Sequence, residues 1–209
     1  PAHVKNYFPS LLQVAQRLGG RWQSAARQGR AIDLQADLMR YTVDTIAGLA
    51  FGAEVNTLES DEDVIQQHLD KFLPALMLRV LAPLPTWRWF RTSADRQLER
   101  SIVEVKAAVT GFIEQARARM RADPRLREHP RNLLEAMIAA ADELGSGIDD
   151  QQVVGNVFTM LLAGEDTTAN TIAWMVHLLW ANPTALALAT KEVRQICGTT
   201  EVPTLEMVE

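Results

Sequence analysis

Apolar side chains crowd every side of a helical wheel from Val153 to Leu162, and again from Ile172 to Trp180. Between these flanks stands AGEDTT, residues 163–168. The spacing is helical, with no period-two alternation, and predicts one long helix enclosed by protein along its length. Asp149 supplies a cap at its start, and Asn182-Pro183 ends it and opens the next helix, so the long helix is placed at about 149–182, roughly 50 Å at 1.5 Å per residue.

The remaining pattern is helical as well. Residues 10–28 form a first amphipathic stretch. Asp33 caps a second, with Leu34, Leu38, Tyr41, Ile46 and Leu49 as its apolar positions and Gly52 as its stop. A third is predicted from about Asp61 to Leu81, broken by the two prolines of APLPTWRWF. A fourth spans roughly 93–121, with Leu98, Ile102, Val105, Val109, Phe112, Ala116 and Met120 on one face. Asn132 with Glu135 resembles a capping box for a fifth, ending near Gly145. A last helix closes at Gly198. The fold class is mainly α, with short connections.

Composition changes this picture little. The 209 residues are 47% hydrophobic and 22% charged, ordinary for a globular protein. A net charge of −5 gives no reason to expect nucleic acid as a partner and leans towards a cytoplasmic setting. Neither end carries a recognisable start or closing signal, so the chain is expected to be a single partial domain, 1–209, truncated at both ends.

Candidate chemistry concentrates in AGEDTT. Glycine inside a helix costs ~1 kcal/mol relative to alanine. Carboxylates in an apolar segment are costly to desolvate. A membrane span would place Glu165 and Asp166 mid-bilayer at ~2.5–3.5 kcal/mol each, and is set aside. Small Ala163 and Gly164 let a ligand approach the backbone. Thr167 can bond back to the carbonyl of Ala163, loosening the ladder into a notch where an acid sits beside an alcohol, a proton-delivery arrangement. The same residues also suit a plain helix kink with its acids turned to water.

Residues 163–168 resemble the oxygen-activation signature of the cytochromes P-450, Ala/Gly-Gly-x-Asp/Glu-Thr-Thr/Ser. The long apolar helix, the Asn-Pro after it and the helix ending KEVRQICG resemble that family's central helix and its successor, and the likeness extends over essentially all 209 residues. It implies the helical central portion of that fold. It also implies a fragment of a haem-thiolate monooxygenase that inserts one atom of O₂ into a hydrophobic organic substrate. Haem is the implied cofactor, with electrons from NAD(P)H through a reductase or ferredoxin-type partner. Carried over by position, Asp166 is the acid of a proton relay and Thr167 the alcohol beside oxygen. Ala163, Gly164 and Thr168 fall on the haem side, and Glu165 falls on the variable, non-catalytic position. Phe72, Leu76, Met77 and Met160 would face substrate, although ordinary core packing is the favoured reading of the first three.

The family's cysteine-thiolate ligand is not in this chain. Cys197 lacks the glycine-flanked loop and is expected to be a half-buried small hydrophobe, so no metal ligand is assigned. Glu114…Arg117 and Glu128…Arg131 mimic a Glu-x-x-Arg pair but precede the long helix, and Trp87…Arg91 mimics a propionate-binding motif out of place. His3, His68, His129 and His177 show no ligand spacing. The alternative is a non-catalytic helical ligand-binding or scaffold domain, or the product of a broken gene.

Overall fold

The computed structural model describes residues 2–60, 72–82, 92–198 and 202–207. Among the described residues seven α-helices follow in order: α1 Ala2–Arg27, α2 Leu34–Phe51, α3 Phe72–Leu81, α4 Ser93–Ala122, α5 Leu133–Asp142, α6 Asp150–Ala181 and α7 Pro183–Cys197. Two short 3₁₀ turns, Pro124–Arg127 and Leu205–Met207, complete them. No strand occurs among the described residues. Of the third predicted helix, Phe72–Leu81 is described; residues 61–71, His68, Trp87, Trp89, Phe90 and Arg91 lie outside the described residues.

Capping explains most boundaries. Asp33 accepts from the Ala36 N–H at the head of α2, and Gly52 closes it with φ 59°, donating to the carbonyls of Ala47 and Gly48. A Cβ at Gly52 would meet Asn132 Nδ2 at 2.5 Å, so this position excludes a side chain twice over. Asp149 and Gln152 form a full capping box for α6. At α5, Asn132 accepts from Glu135 N–H, but Glu135 returns its carboxylate to the N–H of Arg131, one residue outside the expected box. The helix stops at Asp142, short of Gly145, because the Ser146 hydroxyl satisfies the carbonyl of Ala141 at 2.9 Å. Helix α1 starts earlier than expected and runs through Pro9.

The core is the crossing of α2 and α6, flanked by α4 and α5. From α2 come Val43, Ala47 and Phe51. From α4 come Val105, Val109 and Phe112, and from α5 Leu134 and Ile138. The buried stripe of α6 is Val153, Val157, Leu161, Glu165 and Ala169, every fourth residue, the ridge used when two helices cross. A second cluster, Val14, Leu18, Leu38, Leu58 and Ala169, joins α1 and α2 to the same helix. The buried stripe of α2 also holds Asp37 and Asp44, which hydropathy alone does not assign to it. Asp37 accepts from Arg21 Nε and Trp22 Nε1. Asp44 accepts from Thr57 N–H, Thr57 Oγ1–H and Leu58 N–H, pinning the segment after α2. Burial pushes its carboxyl above the usual carboxylate range, with the three hydrogen bonds opposing that rise.

The expectation that α6 is enclosed throughout does not hold: its first half buries a single stripe, with Gly155, Asn156, Thr159 and Ala163 exposed on the other side. From Trp174 onward it is apolar but exposed, with Trp174 at 63% and Trp180 at 74%. Its neighbours α2, α4 and α5 carry the buried stripe no further than Ala169, and α7 beyond it contributes no buried residue.

Candidate functional site

AGEDTT lies on an unbroken stretch of α6, at the crossing with α2. The helix turns its six residues to different surroundings. Glu165 faces α2 and is 1% exposed, so the reading in which both acids turn to water does not hold. Its carbonyl accepts the Thr42 hydroxyl of α2 at 3.0 Å. Gly164 also faces α2: a Cβ there would stand 2.2 Å from Ile46 Cδ1. The glycine therefore has a packing cause that its position in the motif does not reveal.

Ala163, Thr167 and Thr168 lie on the opposite, exposed side. Thr167 Oγ1 donates to the Ala163 carbonyl at 2.7 Å, as its spacing predicts, yet the backbone ladder stays helical, so no break opens the helix. Thr171 Oγ1 repeats the bond to the Thr167 carbonyl one turn on, at 2.7 Å. Asp166 is half-buried between the two faces, and its Oδ1 accepts from Asn170 Nδ2 at 2.7 Å. An acid and an alcohol thus sit side by side, the acid held and the alcohol exposed.

Of the residues expected at substrate, Phe72 of α3 meets Phe158 of α6 edge-on, with ring centroids 5.3 Å apart. Met160 is half-buried against the core. Leu76 and Met77 are exposed on α3. The structure brings Phe72 to Phe158 of α6, not to Met160, and leaves the other two at the surface. Sequence reasoning missed Asn170 and Gln35 as neighbours of Asp166. Asn170 lies one helical turn from Asp166, a signal present in the sequence; Gln35 lies 135 positions from Asn170, and no local pattern points to it.

The side-chain set fits one side of a flat cofactor. Ala163 and Thr167 offer a small-residue wall with a hydroxyl. Among the described residues no group of three or more His, Cys, Asp or Glu is placed to hold a metal ion. Cys197 is half-buried at the last residue of α7. The Glu-x-x-Arg mimics are engaged elsewhere: Arg117 pairs with Asp142 and Asp150, and Arg131 with Asp123. His177 sits exposed in ring contact with Trp174 and Trp180.

An all-helical module crossed by one long helix, with an acid and a back-bonded threonine side by side on it, has direct counterparts among known proteins. The family model described as Cytochrome P450 matches residues 2–209. The self-sufficient cytochrome P450 monooxygenase CYP505E5 of Aspergillus niger is 27% identical over 214 residues, covering 100% of this chain and 19% of that protein. CYP505E4 of Penicillium expansum is 27% identical over 203 residues, covering 95% and 18%. The crystal structure of the cytochrome P450DA haem domain superposes with a TM-score of 0.77 at 28% identity, over 98% of this chain and 42% of that one. The chain belongs to the cytochrome P450 family. It spans about a fifth of the curated relatives it matches.

Proposed function

We propose that this chain forms the central part of a haem-thiolate monooxygenase and supplies the wall from which protons reach oxygen. The substrate class is a hydrophobic organic molecule, into which one atom of O₂ is inserted. The electrons come from NAD(P)H; relatives described as self-sufficient favour delivery within one polypeptide over a separate reductase or ferredoxin. Haem, when bound, supplies the dioxygen-activating iron, held by a thiolate outside these residues.

The observation that carries the reading is the bond from Thr167 Oγ1 to the Ala163 carbonyl beside the half-buried Asp166. With its proton committed to that carbonyl, the exposed hydroxyl presents its oxygen lone pairs outward, where they accept from a water or a protonated oxygen. Turning the hydroxyl reverses the role, so Thr167 Oγ1 either holds a proton donor or gives a proton. Asp166, next along the chain, replaces the proton and recovers one from solvent. Met160, two helical turns before Thr167 on the same side of α6, gives that side an apolar character suited to the substrate class.

The test is coupling in the full-length haem protein carrying these residues. Thr167→Ala favours helix and removes the hydroxyl, so nicotinamide consumption continues while product falls and hydrogen peroxide rises. Asp166→Asn slows turnover, because an amide is a poor relay at neutral pH. Parent-like product and peroxide yields in both variants, measured per nicotinamide consumed, would remove the role assigned to this helix.

A further inference from the structure

We propose that Asn170 is a positioning residue for Asp166, and that Gln35, on a different helix, holds Asn170 in place. The inference rests on the proton-delivery reading above. Gln35 Nε2 donates to Asn170 Oδ1 at 2.9 Å, and Asn170 Nδ2 donates to Asp166 Oδ1 at 2.7 Å. Both bonds run the same way, amide to amide to carboxylate, and bonds aligned head to tail polarise and strengthen one another.

Asparagine is a poor helix former, so its presence in the interior of α6 calls for a side-chain purpose. Here the side chain is half-buried and spans two helices. Gln35 stands in the first turn of α2, two residues after its cap, Asp33, so the cap that starts α2 also fixes where the Gln35 amide projects. Its donation obliges Asn170 to offer oxygen to α2 and its NH₂ to Asp166. Asp166 is thereby drawn towards the α2 side of α6 and away from the exposed side where Thr167 stands. The groove at this end, lined by Ile32, Asp33, Leu34, Trp174 and His177 together with Gln35, opens to solvent. An amide is a poor proton carrier, so this chain acts as a tether that restrains the carboxylate's swing between groove and Thr167.

The experiment compares Asn170→Ala, Gln35→Ala and the exchange of Asp166→Asn with Asn170→Asp, in the full-length holoenzyme, by melting temperature and by product and peroxide per nicotinamide. Asn170→Ala should lower product per nicotinamide roughly threefold with a matching rise in peroxide. Gln35→Ala should act in the same direction to a smaller extent. The exchange keeps an amide–carboxylate pair and an acceptor for Gln35, so the melting temperature should match the parent's. It moves the carboxylate one turn from Thr167, so product yield should stay low. A purely structural role for Asn170 predicts instead that Asn170→Ala and Gln35→Ala regain the parent's product per nicotinamide when assayed well below their melting temperatures, and that outcome would overturn the proposal. Should Asn170→Ala and Gln35→Ala keep the parent's product-to-peroxide split while Asp166→Asn changes turnover, the tether is wrong and the relay stands. If Asp166→Asn is also silent, the proton-delivery reading fails and takes the tether with it.

Discussion

A methyl group at Gly164 would stand 2.2 Å from Ile46 Cδ1 and 3.3 Å from its Cγ1. No carbon pair tolerates the first distance, and since Cδ1 ends a flexible side chain, relief comes from rotating Ile46 or separating the helices. Overpacking of this kind costs about 1–3 kcal/mol. Replacing glycine by alanine in a helix returns up to ~1 kcal/mol. Gly164→Ala is therefore expected to destabilise the chain by up to about 2 kcal/mol, the difference of those two effects. In an Ile46→Val background, which lacks Cδ1, the same substitution should become neutral or stabilising. Denaturant unfolding of the four proteins measures that non-additivity. Additive effects would show that the glycine answers to something other than Ile46. The sequence displays the glycine and the threonine back-bond, both matters of one helical turn. It does not display that Gly164 and Glu165 face α2, because the two helices are far apart in the chain. Hence Glu165, which the motif treats as variable, is the most deeply buried residue of the six.

Helix α3 is tied to α4 through the carboxylate of Asp95. Asp95 accepts from Arg79 Nη2 at 2.7 Å, and closes a capping box with the N–H and hydroxyl of Thr92. The Arg79 bond first, then the Thr92 N–H and hydroxyl, hold its carboxyl down to about 2, below its ordinary 3.8. A depressed acid contributes stability that is complete above its unfolded value and is lost as pH falls through the folded one. The α3–α4 junction should accordingly loosen between about pH 3.8 and 2, and Asp95→Asn should be loose at neutral pH without that acid-dependent step. Amide exchange at Asp95 and Arg96, compared between parent and variant, reads the effect; identical pH profiles would sink it. Element boundaries of this kind are the legible part of the fold. Asp33, Asp149 and Asn182 each cap through a bond three residues long, and such bonds are written in local sequence. Where a boundary depends on a longer reach, as when Ser146 bonds back to Ala141 and ends α5, spacing alone misplaces it. The Gln35–Asn170 bond across α2 and α6 lies beyond any such reading.

Across the whole molecule, polar and apolar surface are distributed unevenly. The first half of α6 buries one stripe against α2, α4 and α5, whereas its second half and α7 present Trp174, Leu178, Trp180, Leu188 and Val193 to solvent. Large exposed apolar patches mark surfaces built for contact. The matched haem domain is more than twice this chain's length, since the chain covers 42% of it, so its remaining residues have room to cover that face. This gives substitutions on the face an effect that depends on context. In the 209-residue chain alone, Trp180→Glu with Leu188→Glu should reduce self-association and binding of an apolar dye, and leave the melting temperature unchanged, because neither side chain is buried there. In the full-length protein the same pair should destabilise by several kcal/mol, because each charge would then be buried without a partner. Sedimentation and dye fluorescence read the first arm, and thermal unfolding of the holoenzyme the second. Harmless substitutions in the holoenzyme would mean that this face stays open to solvent there, and its apolar character would then call for a partner outside the fold.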